Sequence, residues 1–271
     1  MPKNISSYKM DVVYNNRVKD VVKDQIKSKE KKSDYLAFAE RLFEGVPTGE
    51  LDNHSDDNII ALLADAYNFL KEPLRPKQIK LRLLNPDYTR HSLAMINIAD
   101  QPFLLDSIGL ELNRRDIDIH HTFHPVLNIE RTDKGHLKTF YDKPEDGVRE
   151  SLILMEFDRQ DAETLKELEQ AFEQTITLAQ QVVKDFGNLT EKMHHVTSTL
   201  RHAESHDPEE DMVENVEFLK WLMNDHFVFL GYRQYDLDHS PEEPTIQTKQ
   251  GSGLGILRGD KASSLKEETR L

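Results

Sequence analysis

The stretch SLAMINIADQPFLL, residues 92–105, joins a strand to a helix and decides the fold. Ser92–Ile98 is predicted to be a strand. Asp100–Pro102 is predicted to start a helix, because proline costs nothing at the first helical position, where its missing N–H would be unpaired anyway. We expect this helix to leave the helical path at Asp116, since aspartate tolerates the left-handed conformation. Its predicted buried face is Leu104, Leu105, Ile108 and Leu112.

Strands are predicted on both sides of this unit. Ile79–Leu84 alternates apolar with basic residues, as a half-buried strand does, and we expect a hairpin to place it beside Ser92–Ile98 at the sheet edge. A long extended run from Ile117 to Arg131 leads into a hairpin loop at Thr132–Gly135. The predicted returning strands are His136–Tyr141 and Glu150–Phe157.

Helices are predicted before and after the strands, from apolar residues at a spacing of three and four. Ser33 would cap the first helix and Ser55 the second. A long helix after the strands carries an apolar stripe from Leu165 to Phe186 and is expected to end at Gly187-Asn188. The remaining predicted elements are helices at Thr190–Ala203 and Asp211–Asn224 and strands at Phe227–Leu237 and Thr245–Lys249.

This order of elements predicts an α+β fold, with a ferredoxin-like antiparallel sheet, helices on one face, and helical segments before and after it. Four regions are expected. Residues 1–76 would be an N-terminal helical segment and residues 77–187 the sheet domain. A helical connector, 188–225, would lead to the start of a second, truncated α+β domain at 226–271.

Composition narrows the function classes. The 271 residues contain no cysteine, which excludes a disulfide framework and a thiolate nucleophile and favours a reducing, cytoplasmic compartment. The net charge is −14, and an acidic body repels phosphate, so nucleic acid is not an expected partner. The longest apolar runs, such as Phe227–Leu230, are far shorter than a bilayer span, so we expect no membrane insertion.

Several ordered blocks of this sequence resemble the N-terminal region of the large bacterial NAD-specific glutamate dehydrogenases. They are MINIADQPFLLDS at 95–107, IHHTFHPVL at 119–127, RESL at 149–152, Trp221–Arg233 and Gly251–Leu257. The resemblance implies an ACT-like regulatory domain within a longer polypeptide, whose reaction would be NAD-dependent oxidative deamination of L-glutamate to 2-oxoglutarate and ammonia.

Under this resemblance, the present chain holds neither the catalytic nor the NAD-binding domain, and it is expected to end at a cut point. NAD would be a cofactor of the longer parent, and this chain itself is assigned no cofactor. The implied partners are the rest of the same polypeptide, further copies in a homo-oligomer, and an amino-acid effector. Two alternatives stay open: a stand-alone amino-acid-sensing ACT protein, or a purely structural oligomerisation module.

The candidate effector site follows from the same resemblance. Asp100–Leu105 resembles the ACT turn in which exposed backbone N–H groups receive the carboxylate of an amino acid. Phe103 stands where the family has glycine. The candidate regulatory ligand-binding residues are Asn97, Asp100, Gln101, Phe103 and Leu104. In the alternative interpretation, Phe103 and Leu104 pack in a core or interface, and Asp100 only caps the helix.

Two other features were considered as a metal site and as a dinucleotide site: a group of histidines and a glycine-rich segment. In a regular strand, His120 and His124 share one face while His121 points away, and no carboxylate at suitable spacing completes a metal site. These histidines therefore favour packing or pH-sensitive hydrogen bonding, and no metal site or catalytic residue is assigned. Gly251–Gly255 is interpreted as a turn between strands, because a dinucleotide site needs a following helix.

Overall fold

A computed structural model describes residues 16–25, 29–44, 46, 54–141, 146–202, 209–238 and 245–259. The chain divides into two compact units. The first contains residues up to Gln101 together with Ile108–Glu173, and the second contains Pro102–Ser107 together with the residues from Gln174 onward.

In the described part of the first unit, helices α1 (Asn16–Gln25), α2 (Lys29–Leu42) and α3 (Asp56–Lys71) precede the strands. Ser55 caps α3 as predicted, because its Oγ accepts a hydrogen bond from the Asn58 N–H at 3.2 Å. The predicted start of α2 at Ser33 is wrong, since the helix already begins at Lys29.

Six strands then form one antiparallel sheet. They are β1 (Lys80–Leu84), β2 (Ser92–Ala99), β3 (Ile119–Phe123), β4 (Val126–Arg131), β5 (Leu137–Tyr141) and β6 (Val148–Phe157). Their order is β1-β2-β6-β4-β5, and β3 also pairs with β6. The predicted hairpin is confirmed, because β1 lies at the edge and pairs with β2. The α+β class with an antiparallel sheet is confirmed as well.

The extended run predicted from Ile117 to Arg131 is two strands rather than one. β3 and β4 pair one after the other with the same edge of β6. Phe123 lies opposite Leu154, and Val126 lies opposite Ser151. Pro125 lies in the break, where its missing N–H removes no ladder bond, while its carbonyl accepts from the Leu152 N–H at 3.1 Å.

Both faces of the sheet carry buried apolar residues. One face packs on the three N-terminal helices, in a single core cluster that includes Phe38, Phe43, Leu63, Met95 and Leu154. The predicted helical segment before the sheet therefore contributes directly to its core. The opposite face carries buried Ile96, Ile98, Ile153, Met155 and Phe157.

Helices α4 (Leu104–Asn113) and α5 (Ala162–His202) each contain residues assigned to both units. Helix α4 begins later than predicted, because Phe103 adopts a φ of 70° just before it. The predicted left-handed residue after α4 is confirmed, since Asp116 has a φ of 54°. The predicted end of α5 at Gly187-Asn188 is wrong: α5 runs from Ala162 to His202. One helical glycine costs only about 1 kcal/mol relative to alanine, too little to stop a long helix.

The second unit continues with α6 (Glu209–Trp221), a π-helical turn at Leu222–His226, and four short strands. Strand β7 (Gly231–Tyr232) pairs with β10 (Leu254–Gly255), and β8 (Tyr235–Asp238) pairs with β9 (Thr245–Thr248). The single strand predicted at Phe227–Leu237 is thus two strands. Among the described residues, no helix has the combination of length and apolar character that crossing a bilayer requires. The four regional boundaries from the sequence stay predictions.

Candidate functional site

Asn97, the first of the predicted effector-binding residues, is completely buried in β2. Its Nδ2 donates to Glu150 Oε2 at 2.9 Å, and its Oδ1 accepts from Arg131 Nη2 at 2.9 Å. Both ends of the carboxamide are therefore committed to internal partners, and its assigned role in effector binding stays a prediction.

Asp100 and Gln101 follow β2 directly. Asp100 accepts a hydrogen bond from Ser151 Oγ at 2.8 Å and forms an ion pair with Arg149 at 2.9 Å. The Nε2 of Gln101 is buried and has no hydrogen-bond partner among the described residues. A buried donor without a partner is costly, and the assigned role of Gln101 in effector binding stays a prediction.

Phe103 and Leu104 complete the predicted set. Leu104 is 2% exposed at the start of α4. Phe103 is half-buried and holds a left-handed backbone conformation, with its carbonyl accepting from the Ser107 N–H at 3.0 Å. This conformation is the one that glycine adopts without steric cost, which agrees with the glycine expected at this place from the resemblance.

The structure contains a second candidate site, which was not predicted from the sequence. His54, His91, His121 and Glu156, which we call the imidazole–carboxylate cluster, line a cleft of about 570 Å³ in the first unit. The nitrogen and oxygen atoms of His54, His121 and Glu156 lie within 4.8 Å of one another. Glu156 is 1% and His54 7% exposed, so these two members of the cluster are buried.

Strand pairing brings two members of this cluster together. His121 of β3 lies opposite Glu156 of β6, so their side chains share a face of the sheet. A β-bulge between Ile119 and His121 inserts His120 as an extra residue and changes the alternation.

Local hydrogen bonds position the other two members. His54 directly precedes the Ser55 cap of α3, and its carbonyl accepts from Arg17 Nη2 at 2.7 Å. His91 precedes β2, and its Nδ1 lies 3.3 Å from Glu156 Oε2. Because Arg90 Nε donates to His91 Nε2 at 3.2 Å, the proton of a neutral His91 resides on Nδ1 and points toward Glu156.

The electrostatics of the cluster favour the ionised form of Glu156. Burial raises the pKa of Glu156, but the neighbouring His54 and His91 lower it further, so this pKa is below its ordinary value. Burial lowers the pKa of His91, and Glu156 offsets only part of that effect. The result is a buried carboxylate with one oxygen, Oε1, that has no hydrogen-bond partner among the described residues.

Two expectations about the histidines are therefore wrong. His120 and His124 do not share a face of one regular strand, because β3 ends at Phe123 and has a bulge at His120. His120 stacks on His91 with ring centroids 4.0 Å apart, whereas His124 lines a different cleft beside Arg41 and Asn128. A carboxylate does lie close to His121, but it comes from a distant strand. Sequence spacing could not reveal it, because spacing reports only neighbours along the chain.

The glycine-rich segment Gly251–Gly255 forms a turn into β10, as interpreted from the sequence. A side chain at Gly255, where φ is 59°, would place its Cβ 2.1 Å from the Leu230 carbonyl oxygen. Within the second unit, the buried carboxylate of Asp185 accepts hydrogen bonds from the Gly255 N–H and from Arg258 Nε, both at 2.9 Å. The segment is thus held as a packed turn.

The strand order, with α4 after β2 and α5 after β6, defines the sheet unit as an ACT-like α+β domain. The comparison with protein families agrees, because residues 38–172 match the family described as glutamate dehydrogenase, ACT1 domain. Through these residues the chain belongs to that family.

Two curated relatives extend the similarity beyond the sheet domain. The NAD-specific glutamate dehydrogenase of Pseudomonas aeruginosa is 30% identical over 244 residues, covering 86% of this chain and 15% of the relative. That of Halomonas elongata is 30% identical over 249 residues, with the same 86% and 15% coverage. The chain thus spans about 15% of the length of these relatives.

Proposed function

We propose that this chain is a non-catalytic regulatory and assembly region of a large NAD-dependent glutamate dehydrogenase. The observation that carries the proposal is the ACT1 family match, which extends from α2 into α5 and includes the whole six-stranded sheet. The parent reaction would convert L-glutamate, NAD and water to 2-oxoglutarate, ammonia and NADH. NAD would then be a cofactor of other domains of the same polypeptide, and a cytoplasmic location would accord with a chain without cysteine.

The regulatory part of the proposal places an amino-acid effector at the turn after β2. The unpartnered Nε2 of Gln101 would donate to the effector carboxylate, since a buried amide donor gains most from a charged acceptor. Asp100, which is only 21% exposed, would hold the turn through Ser151 and Arg149.

Isothermal titration of the full chain with individual L-amino acids tests the regulatory part. We expect saturable binding of at least one of them, weakened about tenfold or more by Gln101→Leu. Gln247→Leu, the same change at an exposed position in β9, is the matched control and should bind as the unchanged chain does. Flat titrations for every amino acid would overturn the effector role.

The assembly part rests on the terminal strands β1 and β5 of the sheet order, each of which pairs on one side only among the described residues. Such edges can pair with another copy. Sedimentation of the full chain should show a concentration-dependent homo-oligomer, and a strictly monomeric chain at high concentration would contradict assembly through this region.

The stand-alone sensor and the structural module are separated from this proposal by two further measurements. The gene is expected to encode this region together with a dehydrogenase domain, and a gene that encodes this region alone would favour the stand-alone sensor. The chain by itself should not reduce NAD with L-glutamate, and measurable turnover would contradict its assignment as a non-catalytic region.

A further inference from the structure

We propose that His54, His121 and Glu156 bind a divalent transition-metal ion, with Zn²⁺ the ion that fits their donors best. None of these residues belongs to the turn assigned to the effector. The metal-site proposal is therefore independent of the proposed regulatory function, and each can fail without the other.

The spacing of the donor atoms fits such an ion. Zn²⁺ binds imidazole nitrogen and carboxylate oxygen at about 2.1 Å, so two ligands of a tetrahedral ion lie about 3.4 Å apart. His54 Nε2 and Glu156 Oε2 are separated by 3.4 Å. One ligand atom from each of the three residues lies within 4.8 Å of the other two.

A buried oxygen of Glu156 is an acceptor that a cation could satisfy. Glu156 is 1% exposed, yet its Oε1 has no hydrogen-bond partner among the described residues, and the Nδ1 of the 7% exposed His54 has none either. Leaving such atoms unpaired in a buried site is costly. A divalent ion bound by this carboxylate would supply the partner that Oε1 lacks.

The chemistry of the donor set selects the class of metal. Two imidazoles with one carboxylate are typical ligands of Zn²⁺ and of neighbouring transition metals, whereas Ca²⁺ and Mg²⁺ prefer oxygen ligands. Three protein ligands leave a coordination position for solvent, and the adjoining cleft of about 570 Å³ provides access to it.

His91 acts as an outer partner rather than as a ligand. Its Nδ1 lies 3.3 Å from Glu156 Oε2, and Arg90 fixes its tautomer by donating to Nε2. Outer hydrogen bonds of this kind orient a ligating carboxylate and tune its affinity for the metal. We therefore assign His91 a positioning role.

The three ligands come from separate parts of the first unit: the residue before the α3 cap, strand β3 and strand β6. An ion held by all three would tie the N-terminal helices to the sheet. Because an ion that binds only the folded chain stabilises it, Zn²⁺ should also raise the Tm.

Titration of the metal-free full chain with Zn²⁺, in competition with a chromogenic chelator, tests the site. We expect one equivalent to bind, and Glu156→Gln, His121→Asn and His54→Asn each to weaken that binding by about tenfold or more. The double substitution His194→Asn with His195→Asn, at two exposed histidines of α5, is the control and should leave the tight equivalent unchanged. Circular dichroism establishes which variants are folded.

X-ray absorption of the unchanged chain with one equivalent of Zn²⁺ gives a readout that needs no variant. A coordination shell with two imidazoles and oxygen ligands supports the site. The proposal is overturned by the lack of a stoichiometric equivalent, by a shell without imidazole, by folded cluster variants that keep full affinity, or by loss of the equivalent in the α5 control.

Discussion

Arg131 holds Glu150 through two parallel hydrogen bonds, from Nε to Oε1 at 2.6 Å and from Nη2 to Oε2 at 2.8 Å. The two side chains are only 10% and 6% exposed. Arg131 also donates to Asn97 Oδ1 at 2.9 Å and to the main-chain carbonyl of Leu70 in α3 at 3.2 Å. This ion pair therefore connects three strands of the sheet to the end of a helix.

Removing the guanidinium should destabilise the chain strongly. Arg131→Met is expected to lower the free energy of unfolding by about 3–5 kcal/mol, because Glu150 would remain buried without its cation. Arg149→Met is the control: Arg149 is 57% exposed in its ion pair with Asp100, so its loss should cost less than about 1 kcal/mol. Denaturant unfolding measures both, and equal small losses would show that the buried pair does not hold the sheet to α3.

Because the backbone at Phe103 is left-handed, we expect glycine to be more stable than alanine at this position. Phe103→Ala and Phe103→Gly remove the same ring, but only alanine keeps a Cβ at a φ of 70°. A Cβ in this conformation costs about 1–2 kcal/mol, so the glycine variant should be the more stable of the two by about 1 kcal/mol. Thermal unfolding of the pair checks this, and a more stable alanine variant would contradict the assigned conformation.

Acid should destabilise the second unit through Asp185. The hydrogen bond from Arg258 is the largest influence on the pKa of Asp185 and lowers it. Burial raises this pKa, but the Arg258 bond together with the bond from the Gly255 N–H outweighs burial, so the pKa lies below its ordinary value. Because the folded carboxylate releases its proton more readily than the unfolded one, the stabilisation is present above a pH of about 4 and is lost as pH falls through the lower folded pKa.

Asp185→Asn should remove this acid-sensitive contribution and lower stability near neutral pH by about 1–2 kcal/mol. The unfolding midpoint as a function of pH measures the effect. Asp236→Asn, a change in the short strand β8, is the control and should keep the acid dependence. An unchanged acid transition in Asp185→Asn would argue against the role of this carboxylate.

His124 should give stability a different pH dependence. Burial lowers its pKa, and Asp100 opposes this only in part. The unfolded histidine, with a pKa of about 6.5, therefore takes up a proton before the folded one does, and stability falls as pH drops below about 6.5. His124→Gln is expected to flatten the change in the unfolding midpoint between pH values of about 7.5 and 5.5. The control His195→Gln, at an exposed position, should leave this change in the unfolding midpoint as it is. An equal dependence of the midpoint on pH in both variants would contradict the prediction.

The local elements were predictable where a short-range physical cause exists. The Ser55 cap, the left-handed Asp116 and the hairpin of β1 with β2 all follow from side-chain chemistry or alternation within a few residues. The end of α5 was not predictable from Gly187, because the intrinsic penalty of one glycine is small beside the hydrogen bonds that continue the helix on both sides.

By itself, the sequence determined the class of the protein: an acidic, cysteine-free α+β chain with the motif order of an ACT domain in the glutamate dehydrogenase family. The tertiary structure alone decided which polar side chains meet. Glu156 reaches His121 through the register of β6 with β3, and His54 joins them from the start of α3. The physical reason is that periodicity and capping act within a few residues, whereas the imidazole–carboxylate cluster depends on strand register and a β-bulge, which only the folded sheet fixes.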